Sequence, residues 1–193
     1  MIQAILGQVS TERMPLLNLS LTKLGPESDQ LLCNLLEHYI HDMAEWFDID
    51  TRPDGSYGYN TSTIWAENGY DAYLAKVGDS IAGFALIGSA REWLGDIGAH
   101  DVHEFFVIRR HRRNGVGQAM AMLLWNRYPG QWLVRVLEAN APAILFWRTA
   151  IATHSNGRHQ EEMRLVNGRP WRFFTFGAPA SADLTRQIPG GST

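Results

Sequence analysis

Residues 103–119 read HEFFVIRRHRRNGVGQA, and this stretch decides the fold. Phe105, Phe106, Val107 and Ile108 have the β-branched and aromatic character of a strand. Four arginines follow, Arg109, Arg110, Arg112 and Arg113, and then Asn114-Gly115-Val116-Gly117 opens an apolar helical pattern. Glycines let the backbone turn tightly and approach a ligand with no Cβ in the way. The first N–H groups of a helix lack internal partners and carry the positive end of its dipole. Strand, arginines, Gly-x-Gly and helix together read as a cradle for a phosphate-like anion. The segment lacks the Gly-Lys-Ser/Thr of a P-loop and the third glycine of the dinucleotide fingerprint.

Outward from this segment, periodicity defines the remaining elements. Leu16–Leu21 alternate as a first strand. Gly25-Pro26 breaks the chain, and Leu32, Leu35, Leu36, Tyr39, Ile40, Met43, Trp46 and Phe47 form one face of a helix expected to end near Asp48, before Pro53. Residues 49–69 form a long loop with a short helix expected at Ser62–Glu67. Tyr70–Val77 and Ser80–Gly88 make a hairpin across Gly78-Asp79, and 89–100 is a loop. Asp101–Ile108 is a strand, Gly115–Tyr128 a helix, Gln131–Leu137 a strand and Ala141–Ile151 a helix. His159–Val166 and Trp171–Phe176 form a last hairpin across Asn167-Gly168, a type I′ pair. The order predicts one α/β domain over residues 1–176, with helices flanking a mixed central sheet of six or seven strands. Residues 177–193 have the composition of a flexible tail.

Composition narrows the function. The chain has 193 residues, 45% of them apolar and 19% charged, and a formal charge of −3. A broadly basic nucleic-acid binder is excluded. The single cysteine, Cys33, cannot form an internal disulfide and reads as a small buried hydrophobe in a reducing compartment. No Cys/His cluster has zinc spacing, so no metal is expected. No apolar stretch is long enough to span a membrane. The run Ile2, Ala4, Ile5, Leu6 lacks the features of a leader, which favours the cytoplasm.

Arg112-Arg113-Asn114-Gly115-Val116-Gly117 resembles the Gln/Arg-x-x-Gly-x-Gly/Ala acetyl-coenzyme A loop of the GCN5-related N-acetyltransferase (GNAT) superfamily. Downstream, Asn140-Ala141-Pro142-Ala143-Ile144-Leu145-Phe146-Trp147 resembles that family's Asn-x-x-Ala-x-x-Phe/Leu-Tyr helix. The order of elements over residues 14–176 also agrees. The resemblance implies the GNAT fold, in which the strands around Val107 and Val136 splay apart. It implies acetyl-CoA as co-substrate and transfer of acetyl to a primary amine by direct attack in a ternary complex. Phe106, Val107 and Ile108 would pair with the pantetheine arm like an added strand. Arg112, Arg113, Asn114, Gly115, Val116, Gly117 and Gln118 would hold the pyrophosphate. Asn140 would touch the pantetheine or cap the following helix, and Phe146 and Trp147 complete the cofactor set.

The attacking amine must lose a proton. Asp101, His103 and Glu104 are candidates on the strand before the loop. Alternation puts His103 with Phe105 and Val107, at the position of the glutamate of polyamine acetyltransferases, and Glu104 on the other face; a bulge would reverse this parity. His103 and Glu104 are both retained, with Glu104 ahead. Glu138 is weaker, because relatives with a base on the next strand carry it at the position that here is Arg135. The family's tyrosine acid is replaced by Trp147, whose indole N–H donates hydrogen bonds but not protons. Glu37, Asp42, Glu45, Asp48, Asp50 and Asp54, with Tyr39, Trp46 and Phe47 among them and Tyr57 and Tyr59 following, form a candidate wall for a cationic acceptor. Tyr39, Asp42 and Trp46 are its proposed contacts. Acetylation of a protein, peptide or aminoacyl amine, and a non-catalytic CoA-binding module, are the alternatives. Relatives dimerise through late strands, which makes Trp171–Phe176 a candidate homodimer contact.

Overall fold

A computed structural model describes residues 11–14, 17–66, 69–95 and 98–177, the first four by backbone alone. The elements are β1 (Thr11–Met14), β2 (Leu19–Lys23), α1 (Asp29–Met43), β3 (Asp71–Val77), β4 (Ser80–Ser89), α2 (Arg91–Leu94), β5 (His100–Val107), α3 (Val116–Arg127), β6 (Trp132–Leu137), α4 (Ala141–Ser155), β7 (His159–Val166) and β8 (Arg169–Phe176). They form one eight-stranded sheet in the order β1-β2-β3-β4-β5-β6-β8-β7. Every neighbouring pair is antiparallel except β5–β6.

The parallel pair carries the site. Its ladder runs only from His100↔Trp132 to Val102↔Val134 and then stops. The remaining halves of β5 and β6 diverge, so a strand edge opens in the middle of the sheet. On one face α3 and α4 cover the sheet with Val116, Met120, Leu124, Trp125, Ile144 and Trp147. On the other, Leu32, Leu35 and Leu36 of α1 pack on Leu74, Phe84, Leu86 and Phe106. Each such fully buried large side chain contributes about 1.5–3 kcal/mol relative to an exposed one. A third small cluster joins Ala90, Ala99, Leu133 and Phe173 under Trp93 and Leu94 of α2.

The seven strands expected from the alternating pattern are present, and β1 adds an eighth at the edge. The first expected strand is shifted to Leu19–Lys23. α1 ends at Met43 rather than near Asp48. Past that point tighter i→i+3 bonds, Glu45 to Asp42 and Trp46 to Met43, take over, so the apolar spacing continues while the α-helix does not. The helix expected at Ser62–Glu67 is a single 3-10 turn at Thr61–Thr63, and residues 67 and 68 lie outside the described residues. α2 interrupts the expected loop 89–100, and α4 continues four residues past Ile151. Asn167 and Gly168 both have positive φ, as a type I′ turn requires. Trp171–Phe176 does not form an outer contact: β8 is paired on both edges, with Phe173, Phe174 and Phe176 buried. Those three phenylalanines of the candidate dimer contact therefore belong to the core, while Trp171, Arg172 and Thr175 are half-buried. Cys33 is only partly buried, its thiol against Asp29 and Thr61. The expected tail from 178 onward and the apolar run at 2–6 lie outside the described residues. Among the described residues, no helix is long and apolar enough to cross a membrane and no group of His, Cys, Asp and Glu could hold a metal.

Candidate active site at the open strand edge

The sharp turn into α3 forms where the sequence placed it. Arg113 and Gly115 both have positive φ, which turns the chain sharply into α3. The first amide bonded back along the helix is Ala119 to Gly115. The amides of Val116, Gly117 and Gln118 bond no other described residue, and Gly115 offers no capping side chain. These donors, at the positive end of α3, fit a pyrophosphate. Gly117 fits the same role by its size. A Cβ there would lie 3.2 Å from the Phe146 ring and 3.5 Å from Val107 Cγ2. Gly117→Val is expected to wedge α3 away from α4 and weaken acetyl-CoA binding at least about tenfold by calorimetry, roughly 1.4 kcal/mol. Gln118 and Phe146 also line a cavity of about 290 Å³ between α3 and α4.

The strand edge divides the expected pantetheine contacts. The Ile108 amide bonds the Ala82 carbonyl of β4, and Phe106 turns its carbonyl toward Gly83. By alternation Phe105 and Val107, not Phe106 and Ile108, present backbone groups to the open edge. Phe106 contributes its buried ring instead, edge-on to Tyr39. Arg112 reaches the same edge, its Nε bonding the Val107 carbonyl at 2.6 Å. Arg113 and Asn114 are exposed.

A bulge settles the parity of β5. Leu86 pairs with Glu104 and Ile87 with Val102, which leaves His103 unpaired between them. Val102 points into the α3–α4 core, whereas Phe106 points into the α1 core. Glu104 follows Phe106: it lies against Tyr39 and accepts a hydrogen bond from Tyr59 Oη at 3.3 Å. His103 stacks on Tyr70, with ring centroids 4.1 Å apart, and its Nδ1 lies 3.7 Å from Asp101. The two retained base candidates thus face the α1 side together. Gly88 makes the stack possible, since a Cβ there would stand 2.7 Å from the Tyr70 ring.

Burial raises the Glu104 carboxyl above its ordinary range. Its hydrogen bond with Tyr39, nearby His103, the bond from Tyr59 and the charge of Arg135 pull the other way without cancelling burial. A carboxylate tuned toward neutrality is suited to take a proton from an ammonium-derived nucleophile. Asp101 has a different task. It is buried and takes a two-pronged bond from Arg135 at 3.2 and 2.6 Å. Glu138 is paired with Arg172.

Three of the six acids of the expected wall are engaged elsewhere. Glu37 accepts from the Tyr57 and Gly58 amides and anchors the long loop. Asp54 holds Ser56. Asp42 is clamped between Arg109 and Arg112, which hold its carboxyl below the usual range against the opposing effect of burial. It ties α1 to the anion loop instead of offering a free carboxylate to an acceptor. Tyr39 is at the site but serves Glu104 and the Phe84–Phe106 pair. Trp46 lies past α1, its carbonyl accepting from Arg169.

Asn140 is a helix cap, its Oδ1 accepting from the Ala143 amide at 3.1 Å. Trp147 is buried among Phe105, Trp125 and Phe146. Its position is one of packing, not acid chemistry. Trp147→Phe is expected to lower stability by about 1–3 kcal/mol in denaturant melts, with kcat per folded molecule kept. Tyr59, one of the aromatics expected in the acceptor wall, lies against Glu104 instead, and Tyr70, which stacks on His103, was not singled out from the sequence. They sit in or beside the aperiodic 49–69 loop, and only the loop's length and aromatic content pointed to function.

The comparisons with known proteins agree on one family and one fold. The family model described as the Acetyltransferase (GNAT) family matches residues 37–150, more than half the chain and all of the anion loop. This chain belongs to the GNAT acetyltransferase family. It is an acyltransferase, and acetyl-CoA is its co-substrate. The ribosomal-protein-S18-alanine N-acetyltransferase of Escherichia coli is 13% identical with a TM-score of 0.57, covering 86% of this chain and 97% of its own. The YncA acetyltransferase structure from Salmonella typhimurium, which contains acetyl-CoA, is 16% identical with a TM-score of 0.54, covering 86% and 99%. The spermidine/spermine N-acetyltransferase SpeG of Vibrio cholerae is 10% identical with a TM-score of 0.54, covering 82% and 92%. Among curated proteins none matches significantly. The neighbours share the fold, and the acceptors for which they are named differ from one another.

Proposed function

We propose that this GNAT protein transfers acetyl from acetyl-CoA to the primary amine of a small molecule by direct attack in a ternary complex, with Glu104 as the base. The observation that carries this reading is the pairing of two features across one open strand edge: unpartnered amides at the start of α3, and a carboxylate raised by burial on the α1 side. In the step, the amine nitrogen forms a C–N bond to the thioester carbonyl carbon and the C–S bond breaks. The electron pair of that bond leaves as thiolate, and Glu104 takes the proton from nitrogen, directly or through water. Trp147 supplies no proton, and a thiolate is stable enough at neutral pH to leave without one. Cys33, the chain's single cysteine, lies against Asp29 and Thr61 rather than Glu104, which favours direct attack over a cysteine-bound acetyl.

A small acceptor is favoured by what covers the α1 face. Tyr57–Tyr59 are tied down by Glu37, and Phe47 packs on Trp171 with centroids 6.0 Å apart. What lies between α1 and the end of β5 is a cavity of about 380 Å³, within the range of small-molecule sites. The test is release of free thiol from acetyl-CoA with a panel of primary amines, with mass spectrometry of the products. Amine-dependent thiol release with an acetylated small product is expected. Acetyl-CoA binding with acetylation of peptides alone would overturn the acceptor class, and absence of acetyl-CoA binding would overturn the whole reading.

A further inference from the structure

We propose that the cavity beside Glu104 receives an anionic group on the acceptor, so that the acceptor is an amine carrying a carboxylate, phosphonate or similar acid several bonds from its nitrogen. This rests on the acetyl transfer proposed above and names its substrate class. The cavity is lined by His38, His41 and Asp42 of α1 and by Phe106, Ile108 and Arg109 at the end of β5. Phe106 and Ile108 give it an apolar floor. Its polar rim holds one arginine, two histidines and one aspartate. Arg109 extends three-quarters exposed and uses only one nitrogen, Nη2, on Asp42, which leaves its other guanidinium donors for a ligand. His38 and His41 add imidazole nitrogens, one of which, His41 Nδ1, is taken by Tyr57 Oη at 3.1 Å.

The acid in the cavity does not turn it into a cation site. Asp42 is shared between two arginines, with one carboxylate oxygen on each. Two cations around one anion leave a positive excess. Of the other acids between residues 37 and 54, Glu37 and Asp54 hold the long loop together, and Glu45, Asp48 and Asp50 are not among the residues that line the cavity. A carboxylate or phosphonate meets guanidinium donors in this cavity, while an ammonium meets none but a doubly paired aspartate.

Strand geometry sets the length of the acceptor. Glu104 and Phe106 project on the same face, two residues apart, and residues spaced so are about 7 Å apart along a strand. An amine beside Glu104 and an acid over Phe106 are therefore separated by a short chain. An α-amino acid, whose two groups flank one carbon, is too short.

The experiment compares 4-aminobutyrate and 2-aminoethylphosphonate with the uncharged 4-aminobutanamide and with spermidine. Binding is read by calorimetry, on the free protein and with CoA present, and turnover by thiol release. Expected are tighter binding of the two acids and a kcat/KM at least about tenfold above the amide. Arg109→Gln, at an exposed position that should not disturb folding, should erase the acid-over-amide ratio. Equal or better binding and turnover of the amide or spermidine would overturn the proposal. So would an Arg109→Gln variant that weakens acids and amide alike. Failure of acetyl-CoA to bind would instead strike the acetyl transfer itself, while acid binding to the free protein would still report on the cavity.

Discussion

Replacing Glu104 with glutamine is expected to lower kcat by about 10²–10⁴-fold, the range for a lost general base, while acetyl-CoA still binds. The amide keeps the shape and the contacts to Tyr39 and Tyr59 but cannot take a proton. The pH dependence is the sharper measurement. Burial raises the Glu104 carboxyl above the ordinary value for glutamate, about 4.3. A base works only when deprotonated, so kcat/KM should rise with pH through that elevated value, and Glu104→Gln should abolish this rise. Stability runs the other way. A carboxyl that holds its proton more tightly in the folded state favours folding fully below the unfolded pKa, and the benefit is lost as pH climbs through the folded one. Urea melts between the ordinary glutamate value and neutrality should show that loss in the wild type and less of it in the variant. If His103 were the base instead, Glu104→Gln would leave most of the rate, and His103→Gln would take it.

What could be read beforehand follows from which physics is local. The turn into α3 was legible because its requirements are local: a turn needing positive φ and a helix start without a side-chain cap, both within Arg112–Gln118. The strands were legible because apolar alternation reports the two faces of a sheet. Parity at Glu104 could only be posed as a question. The bulge at His103 is set by β5's register against Leu86 and Ile87, and register is a property of two strands, not one. The acidic wall misled for a related reason. Composition shows six acids between Glu37 and Asp54 but not their partners, and Glu37 and Asp42 meet theirs about twenty and seventy residues away. Trp147 followed the opposite course. Its departure from the family's tyrosine was visible in sequence, and the structure supplies the reason, an aromatic cluster that an indole fills.

The last large effect concerns the point where the sheet divides. Arg135 follows Val134, the final β6 residue laddered to β5, and its guanidinium grips Asp101 across the fork. The side chains are 13% and 3% exposed, and Arg135 also lies over the Trp93 ring at 4.4 Å. Removing one member leaves the other charged and buried, so Arg135→Met or Asp101→Leu alone should destabilise by about 3–5 kcal/mol. For a domain of this size that lowers Tm by roughly 6–20 °C. The double variant should recover much of the loss, because a packed apolar pair replaces a buried ion pair at little net cost. A single variant losing less than about 1 kcal/mol would show the pair to be solvated and the argument wrong. Function separates the variants further. The charge of Arg135 lowers the Glu104 carboxyl, so Arg135→Met should push the acid limb of the pH profile to higher pH in whatever fraction folds. Recovery of stability without recovery of the limb would show that the pair's place at the fork serves the base as well as the sheet.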